Sequence, residues 1–431
     1  MRMTSIITLA AFGLAVLLGV AAWMAMPYYG FHAHRGDASF GPLGWTDIPV
    51  EDAVPSTQDV FDEALSAEGD EALRRLMEYR SSIGTPAMSA AVSIQGEMVW
   101  RGSVGWADLE ARTPATSETM FRIGSTSKAV TATALARLAE RGLIDLDAPI
   151  SDYLDDLPNP SWEALTARQL ASHTAGLPHY GQNQDPSGRK HSMTLNTRFD
   201  SPFDALSQFD ESELLFEPGT NFHYSSFGTV LLGAVMSAAT GLPYEDVIQS
   251  EVLDPVGMAS TFADPGLRPD RRHAPFNQMA RYYYLEDDRV RRWRNVDLSG
   301  RLPGGGWLST PTDLVRMGLS VMDDSYLSGD TRDTFWTPQI LADGNVNEQN
   351  YALGWRWREW DVDGFGMARN ANHGGVSRGS QSWLLVFPDL DMVMAFTING
   401  RTEEFADFGM FYADLVQVFG PVAQARQAPA G

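Results

Sequence analysis

The chain contains 431 residues, of which 44% are apolar, and this is enough to bury one large core or two smaller ones. Its formal net charge of −23 argues against nucleic acid as a partner, because phosphate groups are bound by clusters of Lys and Arg. The absence of cysteine excludes disulfides, thiolate metal sites and cysteine nucleophiles. His32 and His34 could bind a metal as a pair, but no further ligand stands near them and the other histidines show no metal-site spacing, so we expect neither a metal nor an organic cofactor.

Residues 1–26 are predicted to form a membrane anchor or a signal. The stretch from Ile6 to Met26 carries no charge and is long enough to cross a hydrocarbon core of about 30 Å. Arg2 precedes it, and Trp23 lies at its distal end, where aromatic side chains of membrane helices are frequent. A cleaved signal usually has a shorter apolar stretch and a clear small-residue cleavage site. We therefore expect an anchored protein whose folded part is exported to a periplasmic or extracellular face; cleavage would make it a secreted protein.

Three regions follow this segment. Residues 27–66 are rich in Gly and Pro and have weak periodicity, which predicts a spacer. Residues 67–420 are predicted to form one folded domain, and residues 421–431 a disordered tail.

The predicted elements of the domain alternate in kind along the chain. In order they are a helix over 61–82, a hairpin of strands 88–94 and 97–108, a helix that begins near Ser125, a mainly helical and loop-rich middle section, strands over 382–387 and 392–398, and a helix over 403–419. Strands thus come from both ends of the chain and helices mostly from its middle. This order predicts an α+β fold, an α/β sandwich in which helices flank an antiparallel sheet and a mainly helical subdomain is inserted.

A serine and a lysine stand together where the helix after the hairpin begins. In GSTSKAVTATALARL, Ser125 and Lys128 are three residues apart, which places them on one face of a helix. A serine hydroxyl becomes an effective nucleophile when a neighbouring base takes its proton, and a neutral lysine can be that base. The start of a helix also offers backbone N–H groups to a developing oxyanion. Taken alone, the spacing is explained more simply by Ser125 or Thr126 capping the helix.

Two further motifs stand later in the chain. Tyr224-Ser225-Ser226 follows a Pro-Gly turn and precedes an apolar helix, and His373-Gly374-Gly375 precedes a strand. With Ser125-Thr126-Ser127-Lys128 they form an ordered set that resembles the serine β-lactamase and penicillin-binding-protein family, in its esterase-like branch related to class C β-lactamases. ASHTAGLP at 171–178 and GGGWLSTPTDLVRMG at 304–318 also resemble stretches of this family.

The resemblance spans about residues 70 to 420 and is greatest to the mitochondrial serine β-lactamase-like proteins and their bacterial relatives. It implies a β-lactamase/transpeptidase-like fold and a set of roles. These are an acylated nucleophile (Ser125), a lysine that shares in deprotonating it (Lys128), a tyrosine that carries a proton to the leaving group (Tyr224), a hydroxyl that positions the lysine or the substrate (Ser226), and an oxyanion hole from the backbone N–H groups of Ser125 and Val376, beside His373, Gly374 and Gly375.

Two departures from the family bear on the substrate, and one of them is Ser226, which stands in place of an asparagine that contacts the substrate amide. The third motif of β-lactamases is Lys-Thr-Gly, whose cation favours a substrate carboxylate, whereas this chain has His373 in the place of the lysine. Arg378 could supply the missing charge. The resemblance therefore implies a serine hydrolase with a small-molecule or peptide substrate, an esterase first and a peptidase second. A D,D-carboxypeptidase or a weak β-lactamase is the next alternative, and a self-associating scaffold or filament that retains the fold is an alternative of another class.

Two segments are candidates for shaping the substrate pocket. Residues 179–203 are polar and form a long loop, which is typical of a lid. Residues 280–298 alternate aromatic and basic side chains around an acidic turn, which predicts a hairpin. Its side chains either line an acyl or peptide subsite or form an exposed surface; they are Tyr282, Tyr284, Arg292 and Trp293.

Overall fold

The computed structural model describes residues 2–34, 48–49, 51, 53–266, 276–286 and 289–427. The helices are α1 (Arg2–His34), α2 (Ser66–Ser82), α3 (Ser127–Glu140), α4 (Ala167–Ser172), α5 (Pro186–Thr194), α6 (Ser226–Thr240), α7 (Tyr244–Ile248), α8 (Asp254–Val256), α9 (Leu302–Gly305), α10 (Pro311–Met322), α11 (Gly329–Trp336), α12 (Phe405–Gly409) and α13 (Phe411–Gln427). The strands are β1 (Ile48–Pro49), β2 (Ser56–Val60), β3 (Ala87–Ile94), β4 (Glu97–Asp108), β5 (Thr113–Pro114), β6 (Phe121–Arg122), β7 (Phe262–Ala263), β8 (Tyr283–Glu286), β9 (Arg289–Arg292), β10 (Trp307–Ser309), β11 (Arg356–Val362), β12 (Gly366–Ser377), β13 (Ser380–Phe387) and β14 (Met392–Ile398).

The main sheet joins the two ends of the domain. Its strand order is β11-β12-β13-β14-β3-β4-β2, with β5 paired to β4, and neighbouring strands are antiparallel. The hairpin of β3 and β4 turns at Gln95 and Gly96, which both have positive φ, as a tight two-residue hairpin turn requires. The antiparallel sheet predicted from the order of elements is confirmed.

Both faces of the central strands of this sheet are buried, which makes the domain a three-layer sandwich. In β14, Val393 and Ala395 belong to a core shared with Leu314 of α10, whereas Met394 and Phe396 belong to a second core with α2 and α13. Because side chains alternate between the faces of a strand, a strand covered on both sides is apolar at nearly every position. This explains why six of the seven residues of β14 are apolar.

The middle of the chain forms the helical subdomain. Helices α3, α4, α6 and α7 share the core that also covers the α10 face of the sheet, and a π-helical turn (Gln249–Leu253) joins α7 to α8. Two small three-stranded sheets, β6-β10-β7 and β1-β9-β8, lie outside the main sheet. The inserted helical subdomain predicted from the sequence is present.

Both predicted boundaries of the domain differ from the structure. β2 lies within the predicted spacer, yet it forms the edge of the main sheet by pairing with β4. At the other end, α13 continues through Pro421 to Gln427, and Ala423, placed in the predicted tail, is fully buried. The packing of this last turn against the core outweighs the helix-breaking effect of proline. Residues 428–431 lie outside the described residues.

The N-terminal helix contains a long apolar stretch. From Ala11 to Met26 its side chains are exposed, including Trp23 at 77%. Among the residues whose side chains are described, no single helix reaches the length and apolarity of a membrane span, and one bent pair, Ser226–Thr240 with Tyr244–Val256, reaches them by length and composition only. Membrane anchoring through residues 1–26 stays a prediction.

Candidate active site

The nucleophile candidate lies in the turn that opens α3. A short 3-10 turn over Gly124–Thr126 leads into the helix, and Gly124 has a φ of +50°, which glycine adopts without strain. Thr126 anchors this turn to the sheet, because its hydroxyl donates to the carbonyl of His373 at 3.0 Å. Ser125 is partly exposed, whereas its neighbours on both sides are buried. Buried neighbours therefore hold the turn in place, and the Ser125 side chain stays partly exposed.

Lys128 is buried directly behind Ser125. Lys128 is 2% exposed, and its Nζ lies 3.3 Å from Ser125 Oγ. Nζ also donates to Ser226 Oγ at 3.0 Å and to the carbonyl of Gly304 at 2.8 Å. Three acceptors from three different parts of the chain thus hold this amine against the serine.

Tyr224 completes the group. Its ring centroid is 4.9 Å from Lys128 Nζ and 5.4 Å from the guanidinium carbon of Arg356. Burial opposes ionisation of the phenol, but the two cations, together with hydrogen bonds to the side chains of Lys128 and Ser125, outweigh it and lower the pKa of Tyr224 below its ordinary value. The phenolate is therefore more accessible than that of a free tyrosine.

The His-Gly-Gly strand abuts the nucleophile turn with its backbone. A Cβ added to Gly375 would fall 1.9 Å from the carbonyl oxygen of Ile123 and 2.9 Å from the backbone nitrogen of Ser125. A Cβ on Gly124 would fall within 2.8 Å of the backbone of Val376. Only glycines allow this approach, which brings the backbone of Val376 beside that of Ser125.

The side chain of His373 takes a position different from the substrate contact considered above. It is fully buried, with Nε2 2.9 Å from the hydroxyl of Tyr351 and Nδ1 2.8 Å from the carbonyl of Gly374. Burial and the nearby cations of Arg356 and Lys128 hold the pKa of His373 well below its ordinary value, so the ring is neutral at pH 7. Side chains alternate along β12, and the ring of His373 points into the protein.

A cavity of about 680 Å³ opens at this group. Five of the eight predicted site residues line it: Ser125, Tyr224, Ser226, Gly374 and Val376. The other three, Lys128, His373 and Gly375, lie behind this lining. The structure thus brings the predicted residues together, although they come from three distant motifs.

Three residues of the site were not predicted. The carbonyl of Gly304 accepts a hydrogen bond from Lys128. A Cβ at this position would lie 3.4 Å from the lysine amine, so the glycine-rich motif at 304–306 was a signal for this contact. Arg356 acts on Tyr224 but is a single arginine without a sequence signal. His179 accepts a hydrogen bond from the backbone N–H of Ser226 at 3.2 Å, and burial, with Lys128 and Arg301, lowers its pKa to about 3.

The two predicted pocket segments have different outcomes. In residues 179–203, His179 and Tyr180 line the cavity, and the expected loop contains α5, whose N-cap Asp185 and following Pro186 are helix-start signals. The hairpin predicted over 280–298 is present as β8 and β9, but Tyr282, Tyr284, Arg292 and Trp293 do not line this cavity. The ring of Tyr284 stacks on that of Trp293 instead, at a centroid distance of 4.4 Å.

This arrangement is suited to acyl transfer. A serine hydroxyl lies against an amine and a tyrosine of lowered pKa, and two strands of backbone meet beside it. Within the described residues, no group of three or more His, Asp or Glu side chains could hold a metal ion. The fold and the site define a serine hydrolase of the type built on an antiparallel sheet with an inserted helical subdomain.

Comparison with known proteins assigns the family. The profile of the β-lactamase family matches residues 70–419, and the chain belongs to this family. It is 27% identical over 394 residues to the human mitochondrial serine β-lactamase-like protein LACTB, covering 73% of this chain and 71% of that protein. It is 34% identical over 204 residues to esterase EstB of Burkholderia gladioli, covering 45% of this chain and 50% of the esterase.

A solved structure shares the fold. The octameric penicillin-binding protein homologue from Pyrococcus abyssi superposes with a TM-score of 0.64 at 21% identity, over 82% of this chain and 77% of the homologue. The β-lactamase-like fold and the membership expected from the three motifs are confirmed.

Proposed function

We propose that this protein is a serine hydrolase that cleaves an ester or an amide through an acyl-enzyme formed on Ser125. The observation that carries the proposal is the contact of Ser125 with the buried Lys128, 3.3 Å from Oγ to Nζ, beside a tyrosine of lowered pKa. A structural serine has no need of such neighbours. The intact group also favours an enzyme over a scaffold that merely retains the fold.

Proton transfer follows from the positions of three groups. Ser125 Oγ attacks the carbonyl carbon while its proton passes to the Tyr224 phenolate, which the Lys128 cation stabilises. Tyr224 then returns the proton to the leaving oxygen or nitrogen, and water enters by the reverse path to release the acid. Ser226 and the Gly304 carbonyl keep Lys128 in place throughout.

The oxyanion of the tetrahedral intermediate would be stabilised by backbone N–H groups. The close approach of the Ser125 turn and the β12 backbone supports Ser125 and Val376 as the two donors. Loss of one such donor typically costs about 3 kcal/mol of transition-state stabilisation.

Ester hydrolysis is the preferred subtype. EstB is an esterase by name, and the neutral, buried ring of His373 offers no cation where β-lactamases have a lysine. Amide hydrolysis, by a peptidase or a D,D-carboxypeptidase, is the second candidate, because the family is named for the opening of a cyclic amide. The same acyl-enzyme serves both.

The first prediction concerns Ser125. The full chain in mild detergent, exposed to a fluorophosphonate, gains the mass of one adduct, because the activated hydroxyl displaces fluoride at phosphorus. Ser125→Ala gains no adduct, and Lys128→Met reacts at least about 100-fold more slowly than the wild type. Intact-mass spectrometry measures all three.

Ser127→Ala is the matched control, since Ser127 directly follows the turn but its Oγ accepts a hydrogen bond from the backbone N–H of Trp307. This variant keeps the adduct. A folded wild-type chain that stays unlabelled would show that the serine is not activated, and the scaffold hypothesis would replace the enzyme.

We also propose that α1 anchors the protein and that the exported folded part self-associates. The exposed apolar side chains from Ala11 to Met26 support an anchor, because a water-soluble surface rarely presents so many together. The octameric state of the homologue from Pyrococcus abyssi supports self-association.

A further inference from the structure

The cavity at Ser125 is lined by cations although the protein is acidic. The chain has 55 Asp and Glu against 32 Lys and Arg. Among the described residues, the charged side chains that line the cavity are all arginines, and no Asp or Glu lines it; they are Arg301, Arg356, Arg358, Arg378 and Arg401. A concave site lined by one sign of charge concentrates ligands of the opposite sign.

The first group of arginines lies on β11. Arg356 and Arg358 are two residues apart on this strand and so project to the same face. Arg356 donates to the side chain of Gln349 and lies near His373, neither of which carries a compensating negative charge. Arg358 forms no ion pair within the described part of the chain, and burial together with Arg356 lowers its pKa.

The second group lies at the far end of β12. Arg301 and Arg378 both donate to the carbonyl of Ser192, at 3.3 and 3.1 Å, and Arg401 is close enough to act on Arg378 electrostatically. Arg301 is nearly buried, its Nε has no hydrogen-bond partner within the described chain, and its guanidinium stacks on the ring of Tyr180. A carbonyl and an aromatic ring do not neutralise a buried cation, so binding of an anion beside it remains favourable.

The nucleophile lies between the two groups. Arg356 pairs in register with Asn372, beyond which β12 is no longer paired to β11, and Arg378 directly follows the end of β12. Six residues of extended strand span roughly 20 Å. Gly375, the residue that abuts Ser125, is midway along this free edge. A substrate placed along the edge with its carbonyl at Ser125 therefore meets arginines on both sides.

We propose that the substrate carries an anionic group on each side of the bond that is cleaved, one bound by Arg356 and Arg358 and the other by Arg301, Arg378 and Arg401. The chemical class is an ester or amide with a carboxylate, or another small anion, on both the acyl part and the leaving group. This inference rests on the proposed hydrolase function for the cleavage, but the recognition itself requires only binding.

Four esters of equal length test both carboxylates. They are 4-nitrophenyl pentanoate, 4-nitrophenyl glutarate, and the 3-carboxy-4-nitrophenyl esters of the same two acids. Calorimetry on Ser125→Ala measures binding without turnover, and kcat/KM of the wild-type chain measures cleavage after correction for spontaneous hydrolysis. Each carboxylate is expected to tighten binding and raise kcat/KM by on the order of tenfold, with the gain decreasing at high salt.

Variants then separate the two groups. Arg358→Gln removes the gain from one of the two carboxylates and Arg401→Gln the gain from the other. The matched control is Arg369→Gln, whose exposed guanidinium pairs with Asp389 on the surface and does not line the cavity; it keeps both gains.

The outcomes distinguish this inference from the proposed function. Equal binding and equal kcat/KM for all four esters would overturn the inference while leaving the hydrolase intact. Loss of the same carboxylate's gain in both variants would also overturn it, because the two groups would then serve one anion. Preferential binding of the doubly charged ester without turnover would support the recognition and contradict the hydrolase.

Discussion

At the scale of single residues, the site depends on how two cations act on one phenol. Tyr224 lies between Lys128 and Arg356, and both favour its anion. Lys128 is already used to hold Ser125, Ser226 and the Gly304 carbonyl. Arg356 can therefore tune the tyrosine without contacting the serine, and its removal should change the pH dependence of the reaction.

The pH profile tests this role. The phenolate of Tyr224 forms as pH rises through a pKa that is lower than that of a free tyrosine, so kcat/KM for a neutral ester should rise with pH to a plateau, with a midpoint below the pKa of a free tyrosine. Arg356→Gln removes one cation, which raises the pKa of Tyr224 and moves the midpoint of the rise to higher pH. Tyr224→Phe lowers kcat/KM by about 10²–10⁴ and abolishes the rise.

Arg369→Gln serves as the control for a changed net charge, and its midpoint should match the wild type. An unchanged midpoint in Arg356→Gln would show that this arginine does not act on the ionisation that controls the rate.

At the scale of elements, the site is a contact between a turn and a strand edge. β12 is held by β13 along its whole length beyond Asn372, and the hydroxyls of Thr126 and Ser382 tie the Ser125 turn to these strands. Because the backbones approach without intervening side chains, the position of Ser125 relative to Val376 depends on Gly375. This contact should tolerate no added atom.

Gly375→Ala tests the contact. The new Cβ would lie 1.9 Å from the Ile123 carbonyl oxygen, so the turn or the strand must move. We expect a loss of about 1–3 kcal/mol in the free energy of unfolding, and loss of fluorophosphonate labelling in the molecules that remain folded. Denaturant unfolding and intact mass measure the two effects.

Gly228→Ala is the matched control. Its Cβ would meet the nearest atoms at 3.5 Å, an ordinary contact, and alanine favours the helical backbone of α6. This variant should keep its stability and its labelling. Normal labelling of Gly375→Ala would mean that the strand edge does not control the nucleophile.

At the scale of the whole molecule, the distribution of charge and of apolar surface is uneven. The net charge is −23, yet the described charged residues that line the active-site cavity are arginines. The apolar side chains of α1 from Ala11 to Met26 are exposed, whereas those of the folded part fill two large cores on either side of the main sheet. Water stabilises the acidic surface, whereas exposure of the apolar helix to water costs free energy.

Membrane fractionation tests the role of α1. The full chain should sediment with membranes and stay there in alkaline carbonate, because about 20 apolar residues gain free energy by leaving water. A chain lacking residues 2–34 should be released into the soluble fraction and still react with the fluorophosphonate. Light scattering of the released chain then measures whether it self-associates, and a monomeric mass would contradict self-association through the folded part. Full-length protein in the soluble fraction would contradict the anchor.

What the sequence determined by itself was mostly local. A spacing of three residues places Ser125 beside Lys128 at the start of a helix, and the two residues Gln95-Gly96 between two strand patterns predict a hairpin. The order of the three motifs identified the family and hence the partners of Ser125. These inferences depend on periodicity and on turns, which are determined by residues that are close together in the sequence.

The tertiary structure decided what the local pattern leaves open. The carbonyl of Gly304 meets Lys128 across 176 positions of sequence, the ring of His373 turns inward to Tyr351, and arginines from separate segments meet in one cavity. Sequence periodicity cannot predict these contacts, because they form only when the sheet and the inserted helices pack together. Val376 and Ser125 are neighbours for the same reason, since a glycine on each side allows two distant backbones to touch.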